Sequence, residues 1–194
     1  MNISTNDRER VLIIGRSQVV LDDAVALLEA DGYRARATNR FDSVLTDVDV
    51  SEVDIVVFGG AVPPETKADL AREIRARQPD VTFLQGLSGI PGLIADQVRG
   101  AAHARTHDES DPAPIVDGSA IVLSLASPRE VRVAAWWITA LVPPNPSSDS
   151  LVVVERALAP GEHRFELPDV LRERGGFVTV RLGDAVHALT VPAG

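Results

Sequence analysis

The sequence predicts two parts: an α/β domain on a parallel sheet over residues 1–101 and an all-β sandwich over residues 115–194. Three observations carry that expectation. Strand-like and helix-like signals alternate through residues 10–100, the pattern of a parallel sheet with helical crossovers. From Ile115 the helical period is lost and short alternating runs replace it. Between them lies AAHARTHDESDPAP, small, charged and proline-containing without a period, which reads as a linker over residues 102–114.

Taken in order, Val11–Ile14 is a continuous apolar run closed by Gly15, as expected of a strand buried on both faces. Ser17 is placed to cap a helix, and Val20, Ala24, Leu27 and Leu28 form its buried stripe before Gly32 stops it. Arg34–Thr38 reads as a second strand, less apolar and so nearer an edge. Val53–Phe58 is the third, ending in Gly59-Gly60. Pro63-Pro64 opens a helix with Leu70, Ile74 and Ala71 on its inner face. Asp80–Leu84 supplies a fourth strand, and Pro91 opens a last helix over Ile90–Val98.

The second part reads as strands at Ala120–Leu125, Val131–Leu141, Leu151–Arg156, His163–Leu167, Phe177–Leu182 and Ala185–Val191. Ser-Pro, Pro-Pro-Asn-Pro, Pro-Gly, Gly-Gly and Gly-Asp turns separate them. Strands at this spacing predict a β-sandwich, and Gly183-Asp184 predicts a tight hairpin.

Charge and composition exclude several functions. The 194 residues carry 19 basic and 28 acidic side chains, a formal net charge of -9. Residues 1–110 hold 12 basic and 18 acidic groups and residues 111–194 hold 7 and 10, so the halves are -6 and -3. Neither is the basic surface that nucleic-acid phosphates or anionic membranes reward. With no cysteine, disulfides, thiol nucleophiles and thiolate-ligated metals are excluded. The opening MNISTNDRERVLIIG is polar where a signal peptide is apolar, so the expectation is a cytoplasmic protein.

The order strand, helix, strand, strand, helix, strand, helix over residues 9–100 resembles the receiver domain of bacterial response regulators, a flavodoxin-like (Rossmann-like) fold. The family phosphorylates an aspartate at the end of its third strand and holds Mg²⁺ with an acidic pair after the first. It uses a Ser or Thr after the fourth strand and a Lys after the fifth. Here the first strand ends in Gly15-Arg16-Ser17, the third in Phe58-Gly59-Gly60 and the fourth in Leu84-Gln85-Gly86, and Lys67 is the only lysine. The resemblance therefore implies a receiver relative without phosphotransfer, and no catalytic residue, metal or cofactor is assigned.

The same strand ends support a second reading. Ligands of open α/β sheets sit outside the carboxyl ends of the strands. Gly15, Arg16, Ser17, Gly59, Gly60, Gly86 and Ser88 would offer backbone approach, a hydroxyl and a cation to a nucleotide or phosphometabolite. The alternative account is that glycines end strands because turns need them. The sequence matches neither G-x-G-x-x-G nor a P-loop.

Other candidates are weaker. His103 and His107, followed by Asp108, Glu109 and Asp111, have metal-ligand spacing, but a linker does not hold a site rigid. His163 and His187 lack a serine-plus-acid arrangement, and Asp22-Asp23 reads as a solvated helix face. In Val131–Leu141, alternation puts Val131, Val133, Ala135 and Trp137 on one face and Arg132, Ala134, Trp136 and Ile138 on the other. With Trp137 inside, Arg132, Trp136 and Ile138 mark an interface.

The run Leu158-Ala159-Pro160-Gly161-Glu162-His163-Arg164-Phe165, followed by Gly175-Gly176-Phe177-Val178-Thr179-Val180-Arg181-Leu182, is similar to bacterial immunoglobulin-like modules. Such modules occur in flagellar hook-capping proteins and C-terminal sorting domains. The resemblance implies an immunoglobulin-like sandwich. The expectation is a non-catalytic interaction or scaffold protein that self-associates as a homodimer or binds a protein partner. The alternative is a binding protein or enzyme for a phosphate-bearing small molecule.

Overall fold

A computed structural model of the chain describes residues 8–87, 89–106, 111–140 and 147–194. It is a mixed α/β structure with one parallel and two antiparallel sheets. The chain divides into two compact units after Val98, inside a helix.

The first unit is built on β1 (Arg10–Ile14), β2 (Arg34–Thr38), β3 (Ile55–Phe58) and β4 (Thr82–Gln85), in parallel order β2-β1-β3-β4. Apolar side chains leave both faces of β1. Leu12 and Ile14 join a cluster with Val56, Phe58, Leu70 and Ile74, while Val11 and Ile13 are equally buried. Burying each such side chain stabilises the fold by roughly 1.5–3 kcal/mol.

Helix α1 (Gln18–Ala30) starts where Ser17 Oγ accepts from the Val20 N–H at 3.4 Å. Gly32 at φ +87° closes it. Its buried residues are Val20, Leu21, Ala24 and Leu28, whereas Leu27 is exposed. This corrects the expected stripe, because Leu21 lies one turn before Ala24 and two turns before Leu28 and packs against Gly15.

Between β2 and β3 the sequence reading saw no element. The structure has 3₁₀ turns at Phe41–Ser43 and Val50–Glu52 around α2 (Val44–Asp47). Val44 of α2 and Val50 of the second turn are buried, and all three elements are too short to show a period. Helix α3 (Pro64–Arg77) buries Leu70 and Ile74.

Helix α4 (Pro91–Thr106) runs well past the expected end at Val98. Gly100 is the reason: a β-carbon there would lie 2.3 Å from the Val186 carbonyl oxygen. The residue that reads as a helix end instead lets the helix pass close to another backbone.

The second unit has β5 (Ile115–Asp117), β6 (Ala120–Leu125), β7 (Arg129–Ala140), β8 (Ser147–Leu158), β9 (Gly161–Glu166), β10 (Gly176–Leu182) and β11 (Ala185–Val191). They form antiparallel sheets ordered β5-β6-β9 and β11-β10-β7-β8. Both sheets contribute to one core, with Ile121 and Leu123 from one and Val133, Ala135, Val178 and Val180 from the other. Leu182 faces Ala185 across the two-residue Gly183-Asp184 turn. Helix α5 (Asp169–Arg174), absent from the sequence reading, starts after Pro168 and buries Leu171.

Candidate functional site

Three predicted rim glycines meet at the carboxyl end of the parallel sheet. Gly15 N–H donates to Thr38 O at 3.1 Å, Gly59 N–H to Ile14 O at 2.8 Å, and Gly86 N–H to Phe58 O at 2.8 Å. Each glycine thus carries the ladder one step beyond its strand. A β-carbon on Gly59 would lie 3.3 Å from Gly15 Cα, and one on Gly86 would lie 3.2 Å from Val57 Cγ1 and 3.8 Å from Gly59 Cα. None of the three has positive φ, unlike Gly89 at +59°. Close packing, against Leu21 of α1 at Gly15 and against the neighbouring strand at Gly59 and Gly86, requires them rather than turn geometry.

Beside this row Arg16 is exposed, and Ser17 is half-buried with its oxygen engaged in the helix cap. Gly60 is exposed with open space where a β-carbon would go. Ser88 lies outside the described residues.

Polar side chains that the sequence reading did not assign to the rim tie down its β4 end. Lys67 Nζ donates to Gln85 Oε1 at 2.8 Å, and Gln85 Nε2 donates to Phe58 O and Gly86 O at 3.1 and 3.2 Å. Gln97 Nε2 donates to Gln85 O at 3.0 Å, and its Oε1 accepts from Leu87 N–H at 3.1 Å. The only lysine reaches this rim from α3, a placement that no spacing in the sequence reveals.

The second candidate surface lies on the sheet face away from the core. Arg132, Trp136 and Ile138 share that face of β7 and all three are half-buried. Trp136 Nε1 donates to Thr179 Oγ1 at 3.0 Å, and Thr179 is buried. Arg132 Nε lies 3.5 Å from Glu155 Oε1. The indole therefore lies across β10, not out in solvent. Trp137 packs against the core.

Of the metal-spaced residues, His103 and Asp111 are described. Asp111 Oδ2 pairs with Arg129 Nε at 2.8 Å, and Asp111 Oδ1 accepts from Ala126 N–H. His103 is on α4, while His107, Asp108 and Glu109 lie outside the described residues. Among the described residues no cluster of three His, Asp or Glu could hold a metal ion. His163 Nε2 is 2.8 Å from Ala159 O, and Gln18 Nε2 donates to Asp22 Oδ1 at 2.7 Å. No helix among the described residues is long and apolar enough to cross a membrane.

A cavity of about 410 Å³ beside β2, missed by the sequence reading, has Arg10, Arg34, Arg36, Asp49 and Glu52 in its wall. Arg10 pairs with Glu52 at 2.5 Å. Asp49 Oδ1 accepts from Ser51 Oγ at 2.6 Å and Ser51 N–H at 3.1 Å. These bonds hold its carboxyl below the usual range, with smaller contributions from Arg10 and Arg77. A second cavity of about 430 Å³ is lined by Asp23, Ala26, Leu27 and Pro91.

No protein-family model matches the chain, and no curated protein matches it. Among solved structures it is similar to a glutamine amidotransferase from Thermotoga maritima, at 15% identity and a TM-score of 0.32 over 94% of this chain and 75% of that one. It is also similar to a β-glucosidase from Listeria innocua in complex with glucose, at 11% identity and a TM-score of 0.33 over 99% of this chain and 47% of that one. Neither likeness is close enough to transfer a fold family or an activity.

Proposed function

We propose that the protein is a non-catalytic interaction module: a receiver-like, flavodoxin-like domain without phosphotransfer, joined to an immunoglobulin-like sandwich. One observation carries the reading. Where a receiver would gather carboxylates, the rim is a row of glycines so close that a β-carbon on Gly59 would lie 3.3 Å from Gly15 Cα. Such backbone offers neither the carboxylates that hold Mg²⁺ nor a phosphoacceptor. Arg16 at the first strand end adds a charge that repels the metal.

The strand order β2-β1-β3-β4 follows the first four positions of the flavodoxin-like order 2-1-3-4-5. Two antiparallel sheets around one core support the immunoglobulin-like reading of the second unit. In this proposal the face bearing Arg132, Trp136 and Ile138 meets a protein partner, since tryptophan and arginine concentrate binding energy at interfaces.

The test is incubation with acetyl phosphate and Mg²⁺ followed by intact mass measurement. An unchanged mass is expected, and a stable phosphoryl adduct overturns the reading. The rim also offers a second reading, because Arg16 and the Gln85-bound Lys67 bring cations to bare backbone. A thermal-shift panel of nucleotides and sugar phosphates separates the two. A ligand at about 100 times its dissociation constant adds roughly 2.7 kcal/mol to the native state. A shift abolished by Arg16→Ala would establish a phosphate site, and a flat panel leaves the interaction module.

A further inference from the structure

A strand at a sheet edge presents a row of unpaired N–H and C=O groups that another chain can extend, and proteins blunt such edges with charge or cover. Most edges here are treated that way. Edge strand β2 carries exposed Arg34 and Arg36, and β9 carries Glu162, Arg164 and Glu166. Edge strand β4 is only 4 residues long. At β11, β5 and Gly100 lie against the strand.

Edge strand β8 is different. It is 12 residues long, and its central run Ser150-Leu151-Val152-Val153-Val154 has no charge and no proline. Leu151 and Val152 are 48% and 42% exposed. Three exposed charges border the run, Asp149, Glu155 and Arg156; Glu155 lies 3.5 Å from Arg132, whereas Asp149 and Arg156 meet no opposite charge among the described residues.

The register of β8 on β7 makes this edge self-complementary. Val154 lies opposite Val133 and Val152 opposite Ala134, so Val153 is an extra residue, a β-bulge. Side-chain alternation changes phase there. Asp149 and Leu151, opposite Trp137 and Ala135, share the core-side face with Val154 and Arg156, opposite Val133 and Val131. Ser148, Ser150 and Val152 share the outer face with Glu155 and Ala157.

Two antiparallel copies of one strand are related by a twofold axis perpendicular to the sheet, so opposed residues must lie on the same face. With the axis between Val152 and Val153, Leu151 falls opposite the partner's Val154, and the extra residue Val153, packed toward the core, lies beside the partner's Val152 at the axis, where the bulge breaks strict opposition. Asp149 then meets the partner's Arg156, and Ser150 meets the partner's Glu155. Without the bulge, residues 149 and 156 would lie on different faces. A slip of two residues either way leaves both charges unpaired or sets Leu151 against Arg156.

We propose that β8 pairs antiparallel with β8 of a second copy in this register, joining two four-stranded sheets into one. The proposal rests on the interaction-module reading and goes beyond it, naming a second copy as partner and the β8 edge, a surface separate from the Trp136 face. The experiment is light scattering on the full chain, with circular dichroism to confirm folding. Wild type is expected to be a dimer. Asp149→Arg and Arg156→Asp each replace two attractive cross-strand pairs with two repulsive ones and should weaken the dimer about tenfold or more. An equimolar mixture of the two variants should restore dimers, because each offers the charge the other lacks; loss of folding would not be rescued this way.

The chain has no cysteine, so Val152→Cys supplies an independent readout. It should form a disulfide-linked dimer under mild oxidation, while Val19→Cys on α1, exposed elsewhere, should not. A wild type that stays monomeric at high micromolar concentration overturns β8 pairing and leaves the non-catalytic reading standing. A dimer indifferent to both charge variants overturns this register. A phosphoryl adduct overturns the non-catalytic reading and leaves the dimer intact.

Discussion

A β-carbon on Gly59 would lie 3.3 Å from Gly15 Cα and equally close to Ile14 O, whereas one on the adjacent Gly60 would meet nothing within 4 Å. Neither glycine has positive φ, so space alone separates them. Gly59→Ala should cost about 1–3 kcal/mol by forcing strand ends apart. Gly60→Ala should be neutral or stabilising by about 0.4–1 kcal/mol, through lower entropy of the unfolded chain. Urea unfolding of the two variants checks this, and equal losses would mean that the rim glycines are not a packed row.

The bond from Trp136 Nε1 to Thr179 Oγ1 joins a half-buried ring to a buried hydroxyl. Trp136→Phe keeps most of the apolar surface and removes the donor. The expected loss is about 1 kcal/mol, toward the upper end of hydrogen-bond values because Thr179 is left without this donor. Thr179→Val in the Trp136→Phe background should cost less than in wild type. A double-mutant cycle with additive losses would show that the bond contributes nothing.

How far the sequence reached depended on whether a residue's role was local. The run Val11–Ile14 and the Ser17 cap were legible because burial on both faces and capping leave local patterns. Gly100 and Gly59 were not, because their partners, Val186 and Gly15, are distant in sequence. A glycine demanded by a close approach looks the same in sequence as one demanded by a turn. The swap of Leu21 for Leu27 on α1 has a similar cause, since both leucines sit near the edge of one helical stripe. The β8 bulge falls within three consecutive valines, where alternation carries no signal. Lys67 and Gln85 meet only because α3 passes the end of β4.

Asp111 is nearly buried, with its side chain 5% exposed, and its two oxygens serve Arg129 and Ala126 N–H. This arrangement makes it a structural residue, so Asp111→Ala should destabilise the second unit by about 1–3 kcal/mol. Asp111→Asn retains an acceptor for Ala126 and should lose less. Chemical unfolding measures both, and the wild-type midpoint should not move with EDTA. A midpoint that falls with EDTA would return Asp111 to a metal site.

Asp49 gives a pH dependence whose sign follows from its partners. The Ser51 hydroxyl and then its backbone N–H stabilise the carboxylate and lower its folded-state pKa below the ordinary 3.8. Folding therefore favours the ionised form. Its contribution is present above the unfolded-state value and is lost as pH falls through the folded-state value. Side-chain carboxyl NMR should place the midpoint below 3.8 in wild type. Ser51→Ala removes the hydroxyl and keeps the backbone donor, so the midpoint should rise part of the way back. A wild-type midpoint at or above the ordinary value would mean that Ser51 does not hold Asp49 in solution, and Asp49 would then titrate like any surface carboxylate.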